Sequence, residues 1–201
     1  MTETVILHPD NHEPVEFTMA MLDWLPWLAP PAEEALTERQ RASLVDAARS
    51  KSAYFRLLAR DPDILEARTR TDKDIFFNTS SGLPRAEREL AAASTSRHNG
   101  CIYCVSVHAR HATTFSKRAE DVQRLLDVGV SAELGERWNA IVAASVALTA
   151  TPIAFGPAHV TRLRSAGLDD AEIVDVINGA AFFNWANRLM LSLGEPAPVA
   201  K

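Results

Sequence analysis

The chain has 201 residues, 47% hydrophobic and 23% charged, the size and balance of one globular domain with a real core. A net charge of −5 argues against a nucleic-acid or anionic-membrane footprint. No apolar run approaches the roughly 18 residues of a membrane span, and Met1-Thr2-Glu3-Thr4 lacks the basic and apolar regions of a signal peptide. Both cysteines fall in a single C-x-x-C, which makes no secreted disulfide framework, so a reducing cytoplasm is the expected compartment.

Residues 1–34 read as an N-terminal arm, ahead of one helical domain over 35–201. Val5-Ile6-Leu7 suits a short strand or an extended segment. The stretch from Phe17 to Leu28 holds Trp24 and Trp27, too much apolar surface to leave wet. The arm therefore packs on its own core or across a subunit interface. Thr37 to about Arg60 reads as one long amphipathic helix, opened by a Thr37/Gln40 capping box and stopped by Asp61-Pro62. A short helix follows to about Arg68. Phe76-Phe77 reads as a core plug, with a pocket wall as the alternative, and Asn78-Thr79-Ser80-Ser81-Gly82 is a connection.

The next stretch concentrates the chemistry. Pro84 suits a first helical turn, and Arg85-Ala86-Glu87-Arg88-Glu89 interleaves acids and bases as a solvated helix face does. Asn99-Gly100 breaks that helix, and a second one begins at the cysteines and runs to about Phe115. Cys101, Cys104 and His108 stand at i, i+3 and i+7, on one stripe of it. In a hairpin bent at Asn99, Glu89 and His108 reach nearly the same level, because each residue adds about 1.5 Å of rise. A carboxylate, an imidazole and two thiols then meet in one small volume. The helix start favours a thiolate there, with His108 to move its proton and Glu89 to orient the imidazole or accept the proton last. A four-ligand zinc set of His98, Cys101, Cys104 and His108 is the weaker alternative, because most of its ligands share one helix stripe. His98 and His111 otherwise read as surface histidines.

Ala119 to Leu126 and Glu133 to Ala150 read as further helices, ended by Gly129 and Pro152. A displacement of 51 residues lays Ala92-Ala93-Ser94 on Ala143-Ala144-Ser145 and His108 on His159, but puts Pro152 and Phe155 in place of the cysteines. This predicts a duplicated helical hairpin whose second copy has no thiols, with His159 structural. Asp169 or Asp170 caps a last helix to Leu193, where Asn184 and Asn187 need hydrogen-bond partners if buried. The residues after Gly194, rich in Pro and Ala, read as a frayed tail.

The set Glu89, Cys101-x-x-Cys104 and His108 resembles the signature of the alkylhydroperoxidase D (AhpD)-like proteins of the carboxymuconolactone decarboxylase superfamily, in its peroxidase-related branch. Arg70 to Phe76 and Phe182 to Leu189 resemble that branch as well, so the likeness spans roughly residues 40–194. Between its cysteines this chain carries Ile102-Tyr103, where the best-studied members have a histidine. The resemblance implies an all-α, AhpD-like helical bundle and a thiol-dependent hydroperoxidase, with Cys104 peroxidatic, Cys101 resolving, and His108 and Glu89 as proton relay. It also implies a hydroperoxide substrate, an external dithiol or thioredoxin- or lipoyl-type reductant, no cofactor or metal, and a homo-oligomer, trimeric or hexameric. A disulfide oxidoreductase without peroxidase activity and a non-catalytic redox sensor are the rival readings.

Overall fold

A computed structural model describes residues 5–78, 80 and 82–199. The first four residues, Thr79 and Ser81 of the connection, and the last two residues of the expected tail lie outside the described residues. Among those described there are nine α-helices and one two-stranded antiparallel sheet. None of these helices is long and apolar enough to cross a membrane.

At the centre is α4 (Arg85–Asn99), buried without interruption from Glu87 to Ser96. Its middle is built of Ala91, Ala92, Ala93, Ser94, Thr95 and Ser96, small enough for neighbours to approach on every side. Those neighbours are α5 (Ile102–Ser116), α7 (Glu136–Thr149) and α9 (Asp170–Leu193). Gly100 closes α4 in the left-handed region, φ 78°, and Cys101 stands at the N-cap of α5, so the hairpin forms where Asn99-Gly100 placed it.

The charged run at the start of α4 is not solvated. Glu87 accepts from Arg137 of α7, which also reaches Glu172 of α9, while Arg88 pairs with Asp175 at 3.0 Å and donates to the Leu83 and Ile75 carbonyls. Interleaved charge here ties three helices together, because each buried ion finds a partner on another element.

Between Thr37 and Arg60 the chain is broken. The capping box opens α1 (Glu38–Ser43), but Val45 takes a positive φ of 63°, a 3₁₀ turn spans Ala47–Lys51, and α2 covers Ala53–Leu58. The next helix, α3, is longer than its sequence suggested and runs Pro62–Phe77. Helix α6 (Ala119–Val128) ends at Gly129, and α8 covers Pro157–Ser165. The displacement of 51 residues carries the start of α4 onto that of α7, and the start of α6 onto that of α9. His159 accepts a hydrogen bond from the Gly156 amide and stacks on Phe155, which closes the start of α8.

The segment after α9 is ordered rather than frayed. Strand β2 (Gly194–Pro198) pairs with β1 (Leu22–Pro26), with Trp24 opposite Pro196. Trp24 is buried against Tyr54, at 5.4 Å between rings, and donates to the Met190 carbonyl. The first described residues join this clasp through Ile6 to Trp27 and Asn11 to Glu195.

Candidate active site

Three elements converge on the thiols. Cys101 and Cys104, both free and buried, stand at the start of α5 with their sulfurs 2.8 Å apart. A disulfide bond is about 2.05 Å long, so the two sulfurs are within a short movement of bonding distance. Across the hairpin Glu89, 1% exposed, meets His108 with 2.6 Å between Oε2 and Nδ1. The expected level match of α4 and α5 therefore produces a hydrogen bond.

That bond sets the imidazole's tautomer. Burial alone would raise the Glu89 carboxyl, but His108 and Arg85 outweigh burial and hold it below the ordinary carboxylate range. An ionised carboxylate only accepts, so Nδ1 of His108 carries a proton and Nε2 is the nitrogen left to take one. Phe183 meets the imidazole edge-on at 4.1 Å and Phe76 lies 5.3 Å away, which fixes the ring plane. Arg85 donates to the other oxygen of Glu89 at 2.6 Å and to the Phe76 carbonyl.

Cys104 departs from the expectation that the helix start leaves it as a thiolate. Burial, reinforced by the proton Cys104 shares with the Cys101 sulfur and by the charge of that sulfur, pushes its thiol well above the ordinary value; a hydrogen bond from Asn187 and the Arg68 charge pull the other way without prevailing. The thiol thus needs a base at the moment of reaction. Asn187, fully buried, donates to Ser96 and accepts from Asn99, and Asn99 also reaches Asn184. The two α9 asparagines find their partners here. Tyr54, beside both thiols and Arg68, is pushed up to about 12 mainly by burial and stays a neutral phenol.

A cavity of about 270 Å³ opens against this group. Cys104, His108 and Glu89 line it; Cys101 does not, and lines a much smaller recess with Trp24. Phe76 is both core and cavity wall, while Phe77, 62% exposed, stands at the rim. His98 is exposed, whereas His111 is half-buried and lines the cavity, unlike the surface residue expected. Among the described residues no group of three or more His, Cys, Asp or Glu side chains is arranged to hold a metal.

Arg49, Arg68, Arg85 and Tyr54 complete the site and were not singled out for it by the sequence; Phe183 and Asn187, read chiefly as packing residues with a pocket role as the alternative, join them. All but Arg85, one helical turn before Glu89 on α4, come from segments distant in the chain, and only the tertiary fold brings those to α5.

Fold and site together define a helical C-x-x-C protein whose second thiol shares a cavity with a carboxylate–imidazole pair. Residues 62–147 match the model of the carboxymuconolactone decarboxylase family. A peroxidase-related protein of Ralstonia eutropha JMP134, described as an alkylhydroperoxidase AhpD core, superposes with a TM-score of 0.68 at 23% identity, over 93% of this chain and 92% of that one. A peroxidase-related protein of Silicibacter sp. TM1040 gives 0.70 at 24% identity, over 85% and 91%. The debrominase Bmp8 gives 0.61 at 17%, over 82% and 88%. No curated protein matches the sequence. Residues 62–147 are thus similar to the carboxymuconolactone decarboxylase family, and the solved AhpD-like structures share the fold of this chain.

Proposed function

We propose that this protein is a thiol-dependent hydroperoxidase. The observation that carries the reading is the division of the cysteines: Cys104 lines the cavity with His108 and Glu89, and Cys101 stands behind it within 2.8 Å. Nε2 of His108 takes the Cys104 proton, and Glu89 stabilises the imidazolium that forms. The thiolate attacks the distal peroxide oxygen; the O–O bond breaks, the proton passes from His108 to the departing alkoxide, and alcohol and Cys104 sulfenic acid result. Cys101 sulfur then attacks the sulfenic sulfur, releasing water and leaving the disulfide. An external dithiol, of thioredoxin or lipoyl type, restores both thiols by exchange.

In this reading residues 35–201 form one catalytic domain and residues 1–34 an arm over it, in a chain that works in the reducing cytoplasm. Exposed Met21, Leu28, Ile153 and Trp185 offer apolar surface for self-association, and the trimer or hexamer rests on the family resemblance alone.

The test is intact-mass analysis of the reduced protein after one equivalent of cumene hydroperoxide. The wild type is expected to lose two hydrogens within seconds, Cys101→Ser to gain one oxygen at Cys104, and Cys104→Ser to remain unchanged. Unaltered thiols in the wild type after minutes would remove the peroxidase and leave a thiol–disulfide exchanger.

A further inference from the structure

The cavity holds a second cluster of charge, set by Arg49, Arg68 and Asp72. Arg68 is only 7% exposed, and its guanidinium lies among the rings of Phe182, Phe55 and Tyr54, at 5.1, 5.5 and 5.9 Å from their centroids. Its Nε and Nη1 are buried with no hydrogen-bond acceptor. Asp72 approaches Nη1 only to 3.8 Å, because the same Oδ2 accepts from Arg49 at 3.0 Å. Arg49 in turn leaves its own Nη1 buried and without an acceptor. Two arginines that share one carboxylate oxygen thus leave three guanidinium nitrogens without a hydrogen-bond acceptor in the cavity wall.

Buried N–H groups of a cation are costly to leave unpaired, and native structures rarely keep several together without a partner to receive them. The charges agree. Among the guanidinium and carboxylate groups, Arg49, Arg68 and Arg85 stand against Asp72 and Glu89 at the cavity, a surplus of one positive charge. A monoanion with an acceptor oxygen for each arginine balances that surplus; a dianion exceeds it. Phe76, Phe77 and Phe183 supply an apolar wall, and the volume of 270 Å³ falls just below the range of about 300–1,000 Å³ common for small-molecule sites.

We propose that Arg49 and Arg68 seat the carboxylate of a small organic acid, whose apolar body lies along the phenylalanines toward Cys104. Resting on the hydroperoxidase reading, this narrows the substrate class to organic hydroperoxides that carry an acid group. Arg68 and Arg49 are positioning residues: they hold the far end of the substrate and take no part in the oxygen transfer.

The experiment is calorimetric titration of the reduced, peroxide-free protein with 3-phenylpropanoate and with its neutral isostere 3-phenylpropanamide. The acid is expected to bind at least tenfold more tightly than the amide. Arg49→Gln, at a half-buried position, is expected to erase that preference, with an unchanged urea midpoint showing that the variant is folded; Arg68→Lys, which keeps the charge, is expected to reduce it less. Equal affinities, no binding of the acid, or an undiminished preference in Arg49→Gln would each overturn the proposal. No peroxide is present, so the two readings fail separately. Acid preference in a protein that leaves cumene hydroperoxide intact supports the seat and removes the peroxidase. Peroxide reduction without acid preference does the reverse.

Discussion

Glu89 carries two hydrogen-bonded partners on a side chain with almost no access to water. It orients His108 through one oxygen and is held in place by Arg85 through the other, so the neutral amide of Glu89→Gln keeps the shape but loses the charge. The variant is expected to fold and to reduce cumene hydroperoxide about 10²–10⁴-fold more slowly, the usual weight of a positioned acid–base pair. Consumption measured at pH 7 checks this, and wild-type rates would remove Glu89 from the relay. This residue was legible from the sequence because its partner lies on the neighbouring helix of a tight hairpin, where spacing alone fixes the meeting. Arg68 was not, because nothing local distinguishes a buried arginine from a surface one, and Asn187 was legible only as a residue that needs partners once buried. Only the rings around Arg68 and the partners Asn99 and Ser96 around Asn187 mark them.

Among the elements, the β1–β2 clasp is the one the sequence concealed. Two prolines in β2 removed any alternating pattern, yet proline is compatible with an edge strand, whose outer N–H positions need no partner. The clasp depends on close approach at Gly194, where the backbone is extended and a Cβ would collide with the Leu25 carbonyl and the Trp24 indole. Gly194→Ala is therefore expected to destabilise by about 1–3 kcal/mol, the range for forced overpacking, measured as a lower urea midpoint; an unchanged midpoint would mean the clasp yields freely. The false long helix over 37–60 has a different origin. Its apolar spacing continues through the break, and the signals that mattered were Asp46, which caps the 3₁₀ turn at Ala48, and Ser52 at the start of α2. By contrast, the α4–α5 hairpin was readable because helix formers, Asn-Gly and the cysteine stripe all agree on it.

For the molecule as a whole, carboxylates held by hydrogen bonds and ion pairs set the response to acid. Glu89 in the core, and Glu33, Glu66 and Glu195 nearer the surface, are all held below the ordinary carboxyl value of 4.5 in the folded state. At pH values between their folded and unfolded titrations the unfolded chain binds more protons than the folded one. Stability from these groups is thus complete above pH 4.5 and drains away as the pH falls through their folded values. Urea midpoints are expected to hold steady from pH 7 to about pH 5 and to decline below that; a midpoint that rises on acidification would contradict the assignment. The duplicated plan adds a division of labour, in which the hairpin that carries thiols faces the cavity and its thiol-free copy supports α4 from behind. Trp24 gives the molecule a built-in optical gauge. Its indole shares one apolar cluster with both cysteines and borders the recess at Cys101, while Trp138 belongs to another cluster and Trp185 faces water. Closing the sulfurs beside an indole alters the quenching of its emission, so the redox state should be readable in unlabelled protein as a change in fluorescence that Trp24→Phe abolishes. Identical emission from the dithiol and disulfide forms would show that the indole is blind to the bond, whereas a change that tracks the cycle would let each turnover be followed by light alone.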